Sequence, residues 1–102
     1  MHGHNWRVRV TVRVDASQLD ATGIGVDFRV VEQAARNAVA DFDHAYLNDL
    51  EPFRTHAPSA EHVAAVICER VGQQLAAETP AARVDHIDVW ETPQFRVTFH
   101  PE

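Results

Sequence analysis

From residue 7 the chain alternates with strict period two. Val8, Val10, Val12 and Val14 fall on one side, and Arg7, Arg9, Thr11 and Arg13 on the other. Successive side chains of a strand point to opposite faces, so this stretch predicts a β-strand with one buried face. His2, His4 and Trp6 continue the valine parity if no bulge intervenes, and bulges are common beside functional sites. An arginine-bearing strand face is more often solvated surface than a site, although in an oligomer it could line a channel. Residues 15–25 read as a turn region, punctuated by Asp20, Thr22, Gly23 and Gly25. Asp27 then reads as the N-cap of a helix running to about residue 42. Its apolar stripe is Phe28, Val31, Ala35, Ala38, Val39 and Phe42.

Residues 47–58 read as a loop containing two prolines. Ser59 caps a second helix reaching about residue 77, with Val63, Val66, Ile67, Val71 and Leu75 on its buried face. Pro80 closes that segment. Residues 84–92 and 94–100 read as two strands around Pro93, paired antiparallel. Ile87 and Val89 share a face of the former, and Phe95, Val97 and Phe99 share a face of the latter. The order strand, helix, helix, strand, strand predicts an α+β fold with two helices covering one face of an antiparallel sheet. Three strands leave two open edges, and pairing with further copies of the chain is the simplest way to cover them.

Composition narrows the class. The 102 residues are 45% apolar and 24% charged, ordinary for one soluble globular domain spanning 1–102. A formal charge of −6 argues against nucleic acid as a partner, because phosphate neutralisation needs a basic surface. All nine basic residues are arginines. No apolar run is long enough to span a bilayer and no secretory leader is visible, so the expectation is a cytoplasmic protein without a membrane partner. The lone Cys68 fits a reducing compartment. Inside the second helix it reads as a small buried hydrophobe rather than a reactive thiol.

Several groups could carry chemistry. His2-Gly3-His4 places two imidazoles on one side of an extended chain, and neutral imidazole is a common zinc ligand. Read alone, the pair fits a solvent-exposed chain end equally well. Asp43-His44 follows the first helix. A carboxylate that orients an imidazole makes an acid/base pair, while a histidine at a helix C-terminus is also electrostatically favourable in its own right. Glu91, at a strand end in Trp90-Glu91-Thr92-Pro93, could accept paired hydrogen bonds from an amidine-like ring edge, as in guanine or pterin. The commoner reading of such an acid is a solvated strand end. Pro58-Ser59-Ala60-Glu61-His62 reads first as a helix cap with an acidic first turn. His56, His86 and His100 have no local partner signature and read as surface or rim residues.

In order along the chain, these pieces resemble the 6-pyruvoyl-tetrahydropterin synthase family, most closely its 6-carboxy-tetrahydropterin synthase branch in queuosine biosynthesis. The matching stretches are His2-Gly-His-Asn-Trp with the strand after it, Thr22-Gly-Ile-Gly-Val-Asp-Phe28, Asp43-His-Ala-Tyr-Leu-Asn48, Pro58-Ser-Ala-Glu61 and Glu91-Thr92. Each is weak alone, whereas five in order across nearly the whole chain are specific. The resemblance implies a tunnelling fold that trimerises into a barrel, with two trimers usually stacking. It also implies a Zn2+ ion held by three histidines and a lyase reaction on 7,8-dihydroneopterin triphosphate. Carried over, His2 and His4 would be metal ligands and Asp43 and His44 a proton relay. Glu91 would be pterin anchor and relay, with Thr92 and Ser59 beside the substrate.

The family's first strand supplies another zinc histidine, and a following loop carries a catalytic cysteine. This sequence starts one residue before His2, so it is expected to lack that strand, and Cys68 matches no catalytic position. Substitution of the missing ligand by His86, His100 or a neighbouring subunit stays open. Two functions follow: a synthase-like lyase, or a catalytically inactive pterin- or purine-binding paralogue or partner subunit.

Overall fold

A computed structural model describes residues 6–15, 26–42 and 59–101. Strands β1 (Arg7–Val14), β2 (Ala82–Thr92) and β3 (Phe95–Phe99) form an antiparallel sheet in the order β1-β2-β3. Helix α1 (Phe28–Val39) runs into a 3-10 turn at Ala40–Phe42, and helix α2 (Ala60–Glu78) leads into β2. This is the α+β arrangement expected from the hydrophobic pattern.

The sheet's apolar face comes directly from the alternation. Val8 lies opposite Val89, Val10 opposite Ile87, Val12 opposite Val84 and Val14 opposite Ala82. The parity holds through Trp6, which packs against the same core. Helix α2 lies over this face along β2 and β3, and α1 packs against α2. Ser59 starts α2 by accepting the His62 backbone N–H on Oγ at 3.1 Å, which satisfies one of the free amides of a helix start. Val63, Ile67, Val71 and Leu75 then recur at four-residue spacing and are buried, with Ala60, Ala64 and Cys68 beside them. Burial pushes the Cys68 thiol up, so the reactive thiolate is disfavoured and its role is packing.

Two apolar expectations change. Phe28 is 85% exposed, whereas the helical stripe placed it inside. It occupies the first helical position, ahead of the contact with α2, and the buried residues of α1 are Ala34 and Ala38. Small side chains there bring α1 close to α2, and Arg70 of α2 donates to the Ala38 carbonyl at 2.9 Å. Phe95 likewise shares a face with Val97 and Phe99 but is 70% exposed, because it sits at the hairpin end of β3, away from the packed part of the sheet. Asp27 does cap α1: its carboxylate accepts the Arg29 backbone N–H at 2.8 Å.

Candidate functional site

The face of the sheet turned away from the helices is built of rows that cross all three strands. Arg7, Trp90 and Arg96 form the first row, Arg9, Asp88 and Thr98 the second, and Thr11 and His86 the third. His100, immediately after β3, extends the third row beside His86. In the first row Arg7 lies 5.0 Å and Arg96 5.9 Å from the Trp90 ring centroid, and Arg9 of the next row lies 5.3 Å from it. These are cation–π distances. The residues read in the sequence as a solvated arginine face are thus organised around one tryptophan.

Asp88 is the buried charge of this face, only 2% exposed. Arg9 donates to its Oδ2 through Nε and Nη2, both at 3.2 Å, and Thr98 donates to its Oδ1 at 2.5 Å. Burial pushes the Asp88 carboxyl up, but the hydrogen bonds from Thr98 and Arg9 and the charge of Arg9 outweigh it and hold the group below the ordinary carboxylate range. A carboxylate held down by the fold contributes its stability above the ordinary carboxylate value, and that contribution is lost as pH falls through the folded value. Asp88→Asn is expected to cost about 1–2 kcal/mol at pH 7 and to flatten the loss of stability below about pH 4. Urea midpoints at pH 7 and pH 3 check this. Equal acid sensitivity in both proteins would contradict it.

The register of β2 shifts twice. Between Thr11 and Val12 of β1 the partner changes from His86 to Val84, which leaves Asp85 as an extra residue. Against β3 the partners run from Trp90 with Arg96 to Thr92 with Phe95, which leaves Glu91 extra. A bulge re-aims the side chain it carries, and both bulges of this strand carry a carboxylate. The first brings Asp85 onto the polar side with His86: His86 Nδ1 lies 2.7 Å from Asp85 Oδ2, and His86 Nε2 lies 3.5 Å from Asp88 Oδ2. The hydrogen bond with His86 is the main reason the Asp85 carboxyl is held below the ordinary range. The His86 and His100 rings stand 5.4 Å apart between centroids. One ligand atom from each of Asp85, His86 and His100 lies within 4.8 Å of the others.

Glu91 and Thr92, both exposed, end β2 together. The Thr92 hydroxyl oxygen accepts the backbone N–H groups of Gln94 at 3.3 Å and Phe95 at 3.2 Å. Thr92 therefore shapes the turn that presents Glu91. Ser59 belongs to the helical layer, where its oxygen is used as the cap of α2. His2, His4, Asp43 and His44 lie outside the described residues. Two shallow surface depressions among the described residues are lined by Arg13, Val14, Asp15 and Arg83, and by His62, Ala65, Val66, Glu69 and Arg70. Neither includes Glu91, Thr92 or Ser59.

His86 and His100, which carry no local partner signature in the sequence and read there as surface or rim residues, are neighbours in the structure. His86 lies six residues before Thr92 and His100 five after Phe95, and the extra residue Glu91 makes up the difference, so their meeting depends on a bulge that plain alternation does not show. Among the described residues, no helix is long and apolar enough to cross a membrane.

A sequence model of 6-pyruvoyl tetrahydropterin synthase matches residues 1–102. A curated Archaeoglobus fulgidus protein named "Putative 6-carboxy-5,6,7,8-tetrahydropterin synthase" is 30% identical over 76 residues, covering 74% of this chain and 56% of that protein. The match thus spans little more than half the length of that relative.

Proposed function

This chain belongs to the 6-pyruvoyl tetrahydropterin synthase family, and from that premise we propose that it is a 6-carboxy-tetrahydropterin synthase-like lyase acting on 7,8-dihydroneopterin triphosphate in the cytoplasm. The observation that carries the reading is Glu91, exposed at a bulge where the central strand ends, in a chain matched by the family along its whole length.

In this reading the Glu91 carboxylate accepts two hydrogen bonds from the amidine edge of the pterin and fixes the ring. Thr92 holds the turn that presents Glu91, and Ser59, whose oxygen accepts from His62, keeps its hydroxyl proton for the substrate. His44, oriented by Asp43, takes up and returns protons at the substrate side chain. His2 and His4 would supply two of the zinc ligands, neutral imidazole being a common donor for that ion. When bound, the ion supplies Lewis-acid polarisation of the side-chain oxygen. Five of the nine arginines, Arg7, Arg9, Arg13, Arg83 and Arg96, belong to the polar sheet face, a complement to a triphosphate on a chain of net charge −6. Among the described residues β1 and β3 are the edges of the sheet, and their pairing between copies would turn that face into the wall of a barrel, in a trimer or a dimer of trimers.

A second reading has a specific basis: Cys68, the cysteine of this sequence, is buried with its thiol pushed up, so it does not serve as a base. A chain that binds the pterin through Glu91 without consuming it would be a binding paralogue or a partner subunit. Turnover of 7,8-dihydroneopterin triphosphate by the full chain separates the two.

A further inference from the structure

We propose that Asp85, His86 and His100 bind a divalent transition-metal ion of the zinc type, at a site separate from His2 and His4. The donor set is two imidazoles and one carboxylate, a combination that recurs in zinc and other first-row metal sites. Asp85 and His86 come from β2 and His100 directly follows β3. The pairing of Ile87 with Phe99 brings His86 beside His100, and the β2 bulge re-aims Asp85 toward them. Without the bulge, plain alternation would send Asp85 and His86 to opposite faces.

The distances are near those of an assembled site. Zinc bonds of about 2.0–2.1 Å put tetrahedral ligand atoms about 3.3 Å apart, against the 4.8 Å that encloses the three here. His100 is exposed just after β3, so its side chain has room to turn toward the other two. Metal at Nδ1 of His86 would replace the proton it shares with Asp85 Oδ2 at 2.7 Å.

A second feature is the outer carboxylate. Metal-bound histidines commonly donate their remaining N–H to a carboxylate, which fixes the tautomer and the ring. With Nδ1 on the metal, Nε2–H of His86 faces Asp88 Oδ2 at 3.5 Å. Asp88 is buried and held by Arg9 and Thr98, so it is positioned to orient the ring rather than to ligate. Arg13 opposes the ion: its Nε lies 4.0 Å from Asp85 Oδ1, an exposed contact that a metal would displace.

The test is titration of the full chain with Co2+, followed by its visible absorption, and competition with Zn2+. Four proteins are compared: wild type, His2→Ala/His4→Ala, His86→Ala/His100→Ala, and Asp88→Asn. The proposal expects the His2/His4 variant to keep one equivalent of Co2+ and the His86/His100 variant to lose one. Asp88→Asn should weaken that equivalent by about 10- to 100-fold. Far-UV melting in chelator confirms that each variant is folded. If the double variant does not fold, the exposed His100→Ala alone replaces it. Wild-type stoichiometry and affinity without His86 and His100 would overturn the proposal. So would loss of all binding in the His2/His4 variant, which would mean one shared site. Absence of metal at His2 and His4 leaves wild type with a single equivalent that depends on His86 and His100, so a failure of the synthase reading is distinguishable from a failure of this one.

Discussion

Glu91→Ala is expected to weaken binding of a dihydropterin by about 30- to 150-fold while leaving the fold intact. The magnitude follows from the bond type. A hydrogen bond to a charged group contributes about 1.5–3 kcal/mol, and two parallel ones to a carboxylate add geometric selectivity. Glu91 is exposed, so water competes and the net loss is set at about 2–3 kcal/mol, a tenfold change being about 1.4 kcal/mol. Glu91→Gln should recover little. An amidine edge presents two donors, and a carboxamide offers one acceptor and one clashing donor. Fluorescence titration with 7,8-dihydroneopterin measures both variants, and thermal melting shows whether they are folded. Unchanged affinity in Glu91→Ala would remove Glu91 from the site and with it the basis for ring recognition.

Ile67→Ala is expected to cost about 2–5 kcal/mol. Ile67 is fully buried at 0% exposure in the middle of α2, the helix that covers the valine face of the sheet. Truncation removes apolar contact and leaves a cavity between two rigid layers, where neighbours relax little. For a domain of this size the total stability is about 5–15 kcal/mol, so the variant should lose a large share of it. Urea unfolding should show a lower midpoint with the slope unchanged. A loss below about 0.5 kcal/mol, the usual range for a surface substitution, would mean that α2 does not pack on the sheet as described.

Particular residues show why some of this structure was readable and some was not. Val8 to Val14 gave a strand without ambiguity because one of its faces is buried and the other polar, and its register partners on β2 are equally apolar. The α2 stripe was readable because its buried residues are large and regularly spaced. In α1 the stripe misled at Phe28, since hydrophobicity does not say where a helix stops touching its neighbour, and it passed over Ala34, whose small size is what allows the close approach. The two β2 bulges were the main loss. Val84 and Ile87 face the same side although three residues apart, an odd spacing that period two does not allow. That spacing marks the extra residue Asp85 and, through it, the grouping with His86 and His100. Glu91 and Thr92 could be named from the ordered motifs, but the role of Thr92 in holding the turn required the hydrogen bonds to Gln94 and Phe95.

Product analysis decides whether the chain acts as the proposed zinc-dependent lyase of a pterin triphosphate. Full chain stripped with chelator and then reloaded with Zn2+ is incubated with 7,8-dihydroneopterin triphosphate, and the pterins and released triphosphate are separated chromatographically. Release of triphosphate and loss of the intact side chain are expected only after reloading, with the reaction suppressed by Glu91→Ala. Substrate recovered unchanged by reloaded, folded protein would contradict the proposal.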